Sequence, residues 1–386
     1  MTPLDSVAAA AEALGMTAWL VGGPVRDHLR GKSLDDVPDL DVVVEGDARV
    51  LARALPGEVV IHERFGTATW RPEGALPIDL VTARREAYAA PGALPDVEPA
   101  DIEADLRRRD FTVNAMAYKL RAGGYELRDP LGGRRDLEAS VLRVLHDDSF
   151  VDDPTRLLRG ARYAARLGLT PDPHTRALIA AAVAGGALST VSPQRRWHEW
   201  ERTAAEVQPA DAAALWVEWG IAAALGLPAD VSTLRRMAGS AGSAEGAGPA
   251  VRLAAWLAGE GTEAAAQAFG LGGAPAARLA RRASLGLATA LEGDPVDAAE
   301  ALAGAELGEV AVLAAARPEL LGALRAAGER VARPLPITGR DLLAAGIAPG
   351  AAIGVGLRAA RRAWWRGDVH GAEQALAVAL AAAHKP

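Results

Sequence analysis

Short runs rich in Val, Ile and Thr are confined to the first part of this chain, and that uneven distribution limits its fold more than any other feature. The runs "AWLVGG", "DLDVVVE", "EVVIHERFGTATWR" and "PIDLVTAR" are each bounded by Pro or Gly, as strands are. The second half of "EVVIHERFGTATWR" pairs back on the first as a hairpin whose turn carries Phe65-Gly66. From Asp152 onward strand signals almost vanish, and Ala, Leu, Arg and Glu recur at helical spacing. A mixed α/β domain followed by an all-helical remainder is the expectation, with the boundary near residue 145. A chain of 386 residues exceeds one ordinary core, so several domains are expected. Breaks are anticipated at "GSAGSAEGAGPA" (Gly239 to Ala250) and "ARPLPITGRD".

Composition removes several chemistries. There is no cysteine, which excludes disulfides, thiolate-bound metal and thiol catalysis. The first residues lack the basic n-region of a signal peptide. The two long uncharged runs, from Ala177 and from Leu342, are interrupted by Gly, Pro, Ser or Thr. A cytoplasmic protein without membrane association is expected. The net charge of −7 argues against a wholesale nucleic-acid binder, yet the arginines are grouped, in "DLRRRDF", "GGRRDL", "TRLLRGARYAARLG" and "SPQRRWHEWER".

The strand "PDLDVVVEGD" opens on two acids. In an extended chain Asp39 and Asp41 point one way while Leu40, Val42 and Val44 point the other, with Glu45 further along the acidic face. Two like charges on one face are unfavourable unless a cation lies between them. The pattern fits two Mg²⁺ ions that activate a hydroxyl and stabilise a leaving pyrophosphate. Asp79, in "PIDLV", is a third carboxylate on what should be a neighbouring strand. The alternative is a solvated strand end.

Upstream, "LVGGPVRDHLRG" ends a strand at Val21, and Pro24 fits a first helical turn. Gly22, Gly23 and Arg26 could cradle phosphate there, or the glycines could serve turn geometry alone. In "DLRRRDFTVNAMAY", Arg108, Arg109, Asp110 and Asn114 precede an expected apolar helix. They suit nucleotide binding, or else a basic turn with Asp110 as its cap. In "DDPTRLLRGARYAARLG", Arg156, Arg159, Arg162 and Arg166 fall in one arc of a helix capped by Asp153, opposite Leu157, Leu158, Ala161, Ala164 and Leu167. Four arginines on one face repel unless they meet carboxylates, nucleotide or RNA phosphate.

Taken in order, these segments resemble the class II tRNA nucleotidyltransferases, the CCA-adding enzymes and their poly(A) polymerase relatives. The resemblance is near continuous from Trp19 to about Arg202 and returns in "ITGRDLLAAGIAPGAAIG". It implies an α/β palm, a small mixed sheet with helices, in a head over residues 1–146. An all-α neck (147–206), body (207–333) and tail (334–386) that hold tRNA would follow.

By the same resemblance Gly22, Gly23 and Arg26 would bind triphosphate, and Asp39 and Asp41 the catalytic Mg²⁺. Arg109, Asp110 and Asn114 would contact the nucleotide and its ribose. Asp153 and Arg156 would read the base of CTP or ATP, with Arg159 and Arg162 beside them. The usual Glu-Asp pair of the family is here Asp152-Asp153, and Asp79 occupies a position that is often Glu. The interval "RREAYAAPGALPDVEPADIEA" corresponds to a loop used in switching from C to A addition and is not truncated. The expected activity is addition of C, A or both to the tRNA 3′ end, with no protein partner evident. CC-only, A-only or poly(A) synthesis, or a catalytically inactive RNA-binding protein, are the alternatives.

Overall fold

The computed structural model describes residues 2–384 apart from 35, 36, 38, 39, 64, 65, 88, 89, 91, 93, 94, 240–247, 259, 284 and 285. Asp39, Phe65 and most of the glycine-rich run after Gly239 therefore lie outside the described residues. The chain forms two compact units, Met1–Ala229 and Asp230–Pro386.

Seven strands form the sheet of the first unit: β1 (Thr17–Val21), β2 (Leu40–Glu45), β3 (Glu58–His62), β4 (Thr67–Arg71), β5 (Ile78–Thr82), β8 (Ala117–Arg121) and β9 (Gly124–Arg128). Their order is β3-β4-β5-β2-β1-β8-β9, with β2 and β5 parallel and the other pairs antiparallel. A separate hairpin, β6 (Arg84–Ala87) with β7 (Asp96–Pro99), follows β5. The expected hairpin β3–β4 forms, with Gly66 at φ +62° entering β4.

Alternation along β2 divides its side chains between two cores. Val42 and Val44 join Leu20, Leu80 and Trp70 under helices α1 (Pro3–Ala13) and α3 (Ala48–Arg53). Val43 faces the other way, with Trp19, Val21, Ile102 and Leu106. Each such side chain taken from water contributes about 1.5–3 kcal/mol, which fixes the register of the strand.

Between β1 and β2 lies α2 (Gly23–Leu29), and α4 (Ile102–Arg107) packs over the Val43 face. The segment after Asp110, expected to be helical, is a 3₁₀ turn over Thr112–Asn114 that leads directly into β8. Ala117, Tyr118 and Leu120 are buried in the sheet, and pairing with β1 on one side and β9 on the other overrides the local helical bias of "NAMA". Helix α5 (Gly133–Glu138) packs on that turn, and Thr112 Oγ1 donates to Asp136 Oδ2 at 2.8 Å.

Helices complete this unit: α6 (Ser149–Asp152), α7 (Thr155–Leu167), α8 (Pro173–Ala184), α9 (Pro193–Ala204) and α10 (Pro209–Glu218). Trp200 of α9 and Trp216 of α10, both fully buried, meet edge to face with ring centroids 5.8 Å apart. In the second unit every described element is a helix. The helices Ala351–Arg366 and Ala372–Ala383 pack together around Ala360, Ala375 and Ala379, whose small side chains permit close approach. Among the described residues no helix is long and apolar enough to cross a membrane.

Gly133 begins α5 where a Cβ would overlap the Thr112 carbonyl oxygen and press on Met116. Gly133→Ala is expected to destabilise the protein by about 1–3 kcal/mol through overpacking. Urea unfolding of the two proteins measures this, and equal stability would mean that α5 can slide off the turn.

Candidate active site

Asp41 stands at the exposed start of β2, with Asp79 as its partner across the parallel pairing to β5. Both carboxylates are exposed on the side of the sheet that α4 covers at its other end. Thr69, opposite Asp79 on β4, donates its hydroxyl to Asp79 Oδ1 at 2.7 Å and holds that carboxylate in place. Further along the same face of β2, Glu45 Oε1 accepts from the Ile102 N–H at 2.9 Å and so caps α4. One strand face thus presents an acid, packs a valine on α4 and anchors that helix.

Oxygen-only donors on rigid strands suit a hard divalent cation. Among the described residues the acids that fit such an ion are Asp41 and Asp79, with no group of three or more His, Asp and Glu converging there.

The turn before α2 needs its first glycine. Gly22 has φ +73° and ψ −126°, and a Cβ there would come within 2.9 Å of Arg109 Nη1. Arg109 thus stands at Gly22, while Arg26 Nη2 lies 3.6 Å from where a Cβ on Gly23 would be. Arg26 is buried, its Nη1 donating to Asn114 Oδ1 at 2.6 Å and its Nε to Asp27 Oδ1 at 2.8 Å.

Asn114 carries the connection onward, donating through Nδ2 to Asp110 Oδ1 at 3.0 Å. Asp110 Oδ2 accepts from Arg159 of α7, from Nε at 3.0 Å and Nη2 at 2.6 Å, a two-point contact of fork and carboxylate. Burial alone would push the Asp110 carboxyl up. The charge of Arg159, with the Asn114 hydrogen bond, holds it down at about 2. Arg162 donates to Glu199 at 2.5 Å and Arg166 meets Glu206 at 3.5 Å. The guanidinium groups of Arg26, Arg159, Arg162 and Arg166 all lie 5.2–5.7 Å from the centre of the Tyr163 ring. The arginine face of α7 is thus resolved mostly by carboxylates within the protein.

Where α7 meets the turn after α4, a cavity of about 310 Å³ is lined by Arg84 and Glu86 of β6, by Arg108, Arg109 and Asp110, and by Asp153, Arg156 and Arg159. Pro95 also lines it. Asp153 Oδ1 accepts from the Thr155 N–H at 3.0 Å, capping α7, and from Arg195 Nη2 at 2.8 Å. Arg195 Nη1 donates to the Gly92 carbonyl at 2.9 Å. Arg156 donates to Ser149 Oγ and to the Arg108 carbonyl, each at 2.8 Å. A larger cavity of about 680 Å³ lies near His28, Leu34 and Tyr125, with none of the candidate residues in its lining, and size alone does not make it the site.

Of the residues singled out in the sequence, Arg108, Arg109, Asp110, Asp153, Arg156 and Arg159 share the arginine-lined cavity. Asn114 and Arg26 are tied to it by hydrogen bonds, and Arg162 is turned away onto Glu199. Sequence reasoning passed over Arg84, Glu86, Asp105 and Arg195. The spacing of Asp105 to Arg108 and Arg109, three and four residues on a helix, was the one local signal available.

Replacing Asp110 by Asn removes the carboxylate that accepts both Arg159 hydrogen bonds, leaving that guanidinium, among the described residues, only the Glu199 carboxylate at 3.8 Å, and is expected to cost about 3 kcal/mol at neutral pH. A carboxyl held below its ordinary 3.8 contributes stability above that value, and the contribution disappears as pH falls through about 2. Urea unfolding of both proteins across acid and neutral pH should therefore show a gap that closes on acidification.

Residues 18–143 match the family model described as the poly A polymerase head domain. The chain is 46% identical over 208 residues to an A-adding tRNA nucleotidyltransferase of Halalkalibacterium halodurans, covering 52% of this chain and 48% of that one. Against three such A-adding relatives the chain spans about half of their length or less. It is 38% identical over 343 residues to the CC-adding tRNA nucleotidyltransferase of Deinococcus radiodurans, covering 87% of this chain and 81% of that one. The fold matches that of the Thermotoga maritima CCA-adding enzyme complexed with tRNA_CCA, with a TM-score of 0.78, 26% identity and coverage of 99% and 96%. The mixed sheet, its strand-borne acids and the near full-length match to the Deinococcus protein lead to one conclusion: the chain belongs to the tRNA nucleotidyltransferase family.

Proposed function

We propose that this protein is a nucleotidyltransferase that extends the 3′ end of tRNA with C, A or both, taking CTP and ATP as donors. The observation that carries this reading is the pairing of strand-borne acids, Asp41 beside Asp79, with an arginine-lined cavity that also presents Asp153 and Arg156. Relatives named as A-adding and CC-adding enzymes, and the likeness to a structure holding tRNA_CCA, support it.

Nucleotidyltransferases of this family use a divalent metal. Here Asp41 and Asp79, together with Asp39, would hold Mg²⁺, which lowers the pKa of a hydroxyl and neutralises charge on a departing pyrophosphate. Arg109, at the Gly22-Gly23 turn, supplies positive charge to the triphosphate, and Arg26 with Asn114 holds the turn and Asp110 together. Asp153 as acceptor and Arg156 as donor, one helical turn apart, present a fixed pattern to the edge of the incoming base. The Ser149, Arg108 and Arg195 contacts hold both groups still, so that base choice depends on protein side chains alone. Arg159 and Arg162 support that helix through Asp110 and Glu199.

The division into head 1–146, neck 147–206, body 207–333 and tail 334–386 belongs to this proposal, the helical parts gripping the RNA backbone in a salt-sensitive way. A cytoplasmic location follows from such a substrate.

Incubation with tRNA lacking the terminal CCA, with tRNA ending in CC and with a generic RNA, each with CTP, ATP or both, tests the reading. Product length separates CCA, CC-only, A-only and poly(A) synthesis, and no product from any RNA would favour an inactive RNA binder. Asp41→Ala should abolish incorporation while tRNA binding by filter retention stays near that of the unsubstituted protein; normal turnover would refute the role given to the acids. Arg156→Ala should relax the preference for CTP and ATP over UTP and GTP more than it slows addition, as single-turnover assays with each nucleotide would reveal.

A further inference from the structure

Three successive arginines run from Arg107, the last residue of α4, through its cap Arg108 to Arg109, and the latter two line the cavity. Flexible cations so close together repel, and each long side chain carries rotamer entropy that a ligand would otherwise have to remove on binding. The structure removes it beforehand. Asp105, with no exposed surface, divides its carboxylate between them: Oδ1 accepts from Arg108 Nε and Nη2, at 2.9 and 2.8 Å, and Oδ2 from Arg109 Nη2 at 3.0 Å. Burial opposes ionisation of Asp105, but Arg109 and then Arg108 hold its carboxyl below the usual range, so it keeps its charge. Glu86 accepts from Arg108 Nη1 at 2.8 Å and Arg84 Nη2 at 3.2 Å, and fixes the other end of the Arg108 guanidinium. Arg109 Nε has no hydrogen-bond partner among the described residues, and its Nη1 lies at the Gly22 turn, so Asp105 is what aims this side chain there.

We propose that Asp105, backed by Glu86, is a positioning residue that holds Arg108 and Arg109 ready for the triphosphate of the incoming nucleotide. The proposal rests on the cavity being the nucleotide site. It adds a specific division of labour, in which phosphate affinity is set from α4 and base choice from α7. Loss of Asp105 should therefore weaken every triphosphate alike, whatever its base.

The test compares the full-length protein with Asp105→Asn and Glu86→Gln, using CTP, ATP and inorganic tripolyphosphate, which has neither base nor ribose. Asp105→Asn should raise KM for CTP and ATP about tenfold or more, the value of one charge-assisted hydrogen bond, and raise the inhibition constant of tripolyphosphate by the same factor. KM for tRNA and the preference among the four nucleotides should not change. Glu86→Gln should produce a smaller shift in the same sense. A folded Asp105→Asn protein with unchanged nucleotide KM, or with altered base preference and unaltered tripolyphosphate inhibition, would overturn the proposal. Should Asp105→Asn fail to fold, Glu86→Gln decides: unchanged tripolyphosphate inhibition overturns it. An unsubstituted protein that incorporates no nucleotide into any RNA removes the underlying reading, an outcome separate from both.

Discussion

The buried contact between Asp110 and Arg159 joins the sheet-bearing part of the first unit to helix α7, and the geometry of the cavity follows from it. A carboxylate taken from water is costly unless its charge is met and its lone pairs are occupied. Asp110 satisfies both conditions with Arg159, the Asn114 amide and the Phe111 N–H. Asn114 in turn holds Arg26, so the glycine turn, the 3₁₀ turn and α7 form one hydrogen-bonded chain. Moving any of these elements would break a buried charged contact, which gives the cavity walls their rigidity.

Strand β2 imposes the second constraint. Its period of two gives one face to the core beneath α1 and α3 and leaves the other for Asp41, Val43 and Glu45. Asp41 meets solvent beside Asp79, Val43 packs on α4, and Glu45 caps that helix. The helix then carries Asp105, Arg108 and Arg109 to the cavity. The acids and the arginines are thus placed by a single strand, and a slip of one residue would bury Asp41 and misplace α4 together.

How much of this was legible beforehand depended on distance along the chain. The strands β1, β2, β3, β4 and β5 were legible because β-branched runs bounded by Gly or Pro form strands readily. β8 was not, because "AYKLR" is short and follows a helix-favouring stretch, and only neighbours on both sides make it a strand. The pairing of Asp41 with Asp79 could be anticipated as two acids on nearby strands, though not as direct partners. The contacts that fix the site join residues 37 to 103 positions apart: Arg162 with Glu199, Asp153 with Arg195, Arg156 with the Arg108 carbonyl, Arg159 with Asp110, and Arg195 with the Gly92 carbonyl. No local rule reaches so far.

The sequence by itself determined the kinds of group available: acids alternating along a strand, glycines before a helix, and an arginine face on α7. Periodicity and residue chemistry are local properties, and they suffice for that. Only the tertiary structure decided which arginine faces the cavity and which is spent internally. Arg162 lies one turn beyond Arg159 on the same arc, yet it is buried on Glu199, whereas Arg159 lines the cavity while holding Asp110. The difference arises because a guanidinium takes whichever carboxylate the packing of α9 and the 3₁₀ turn brings within hydrogen-bond reach, and that packing is a property of the whole unit.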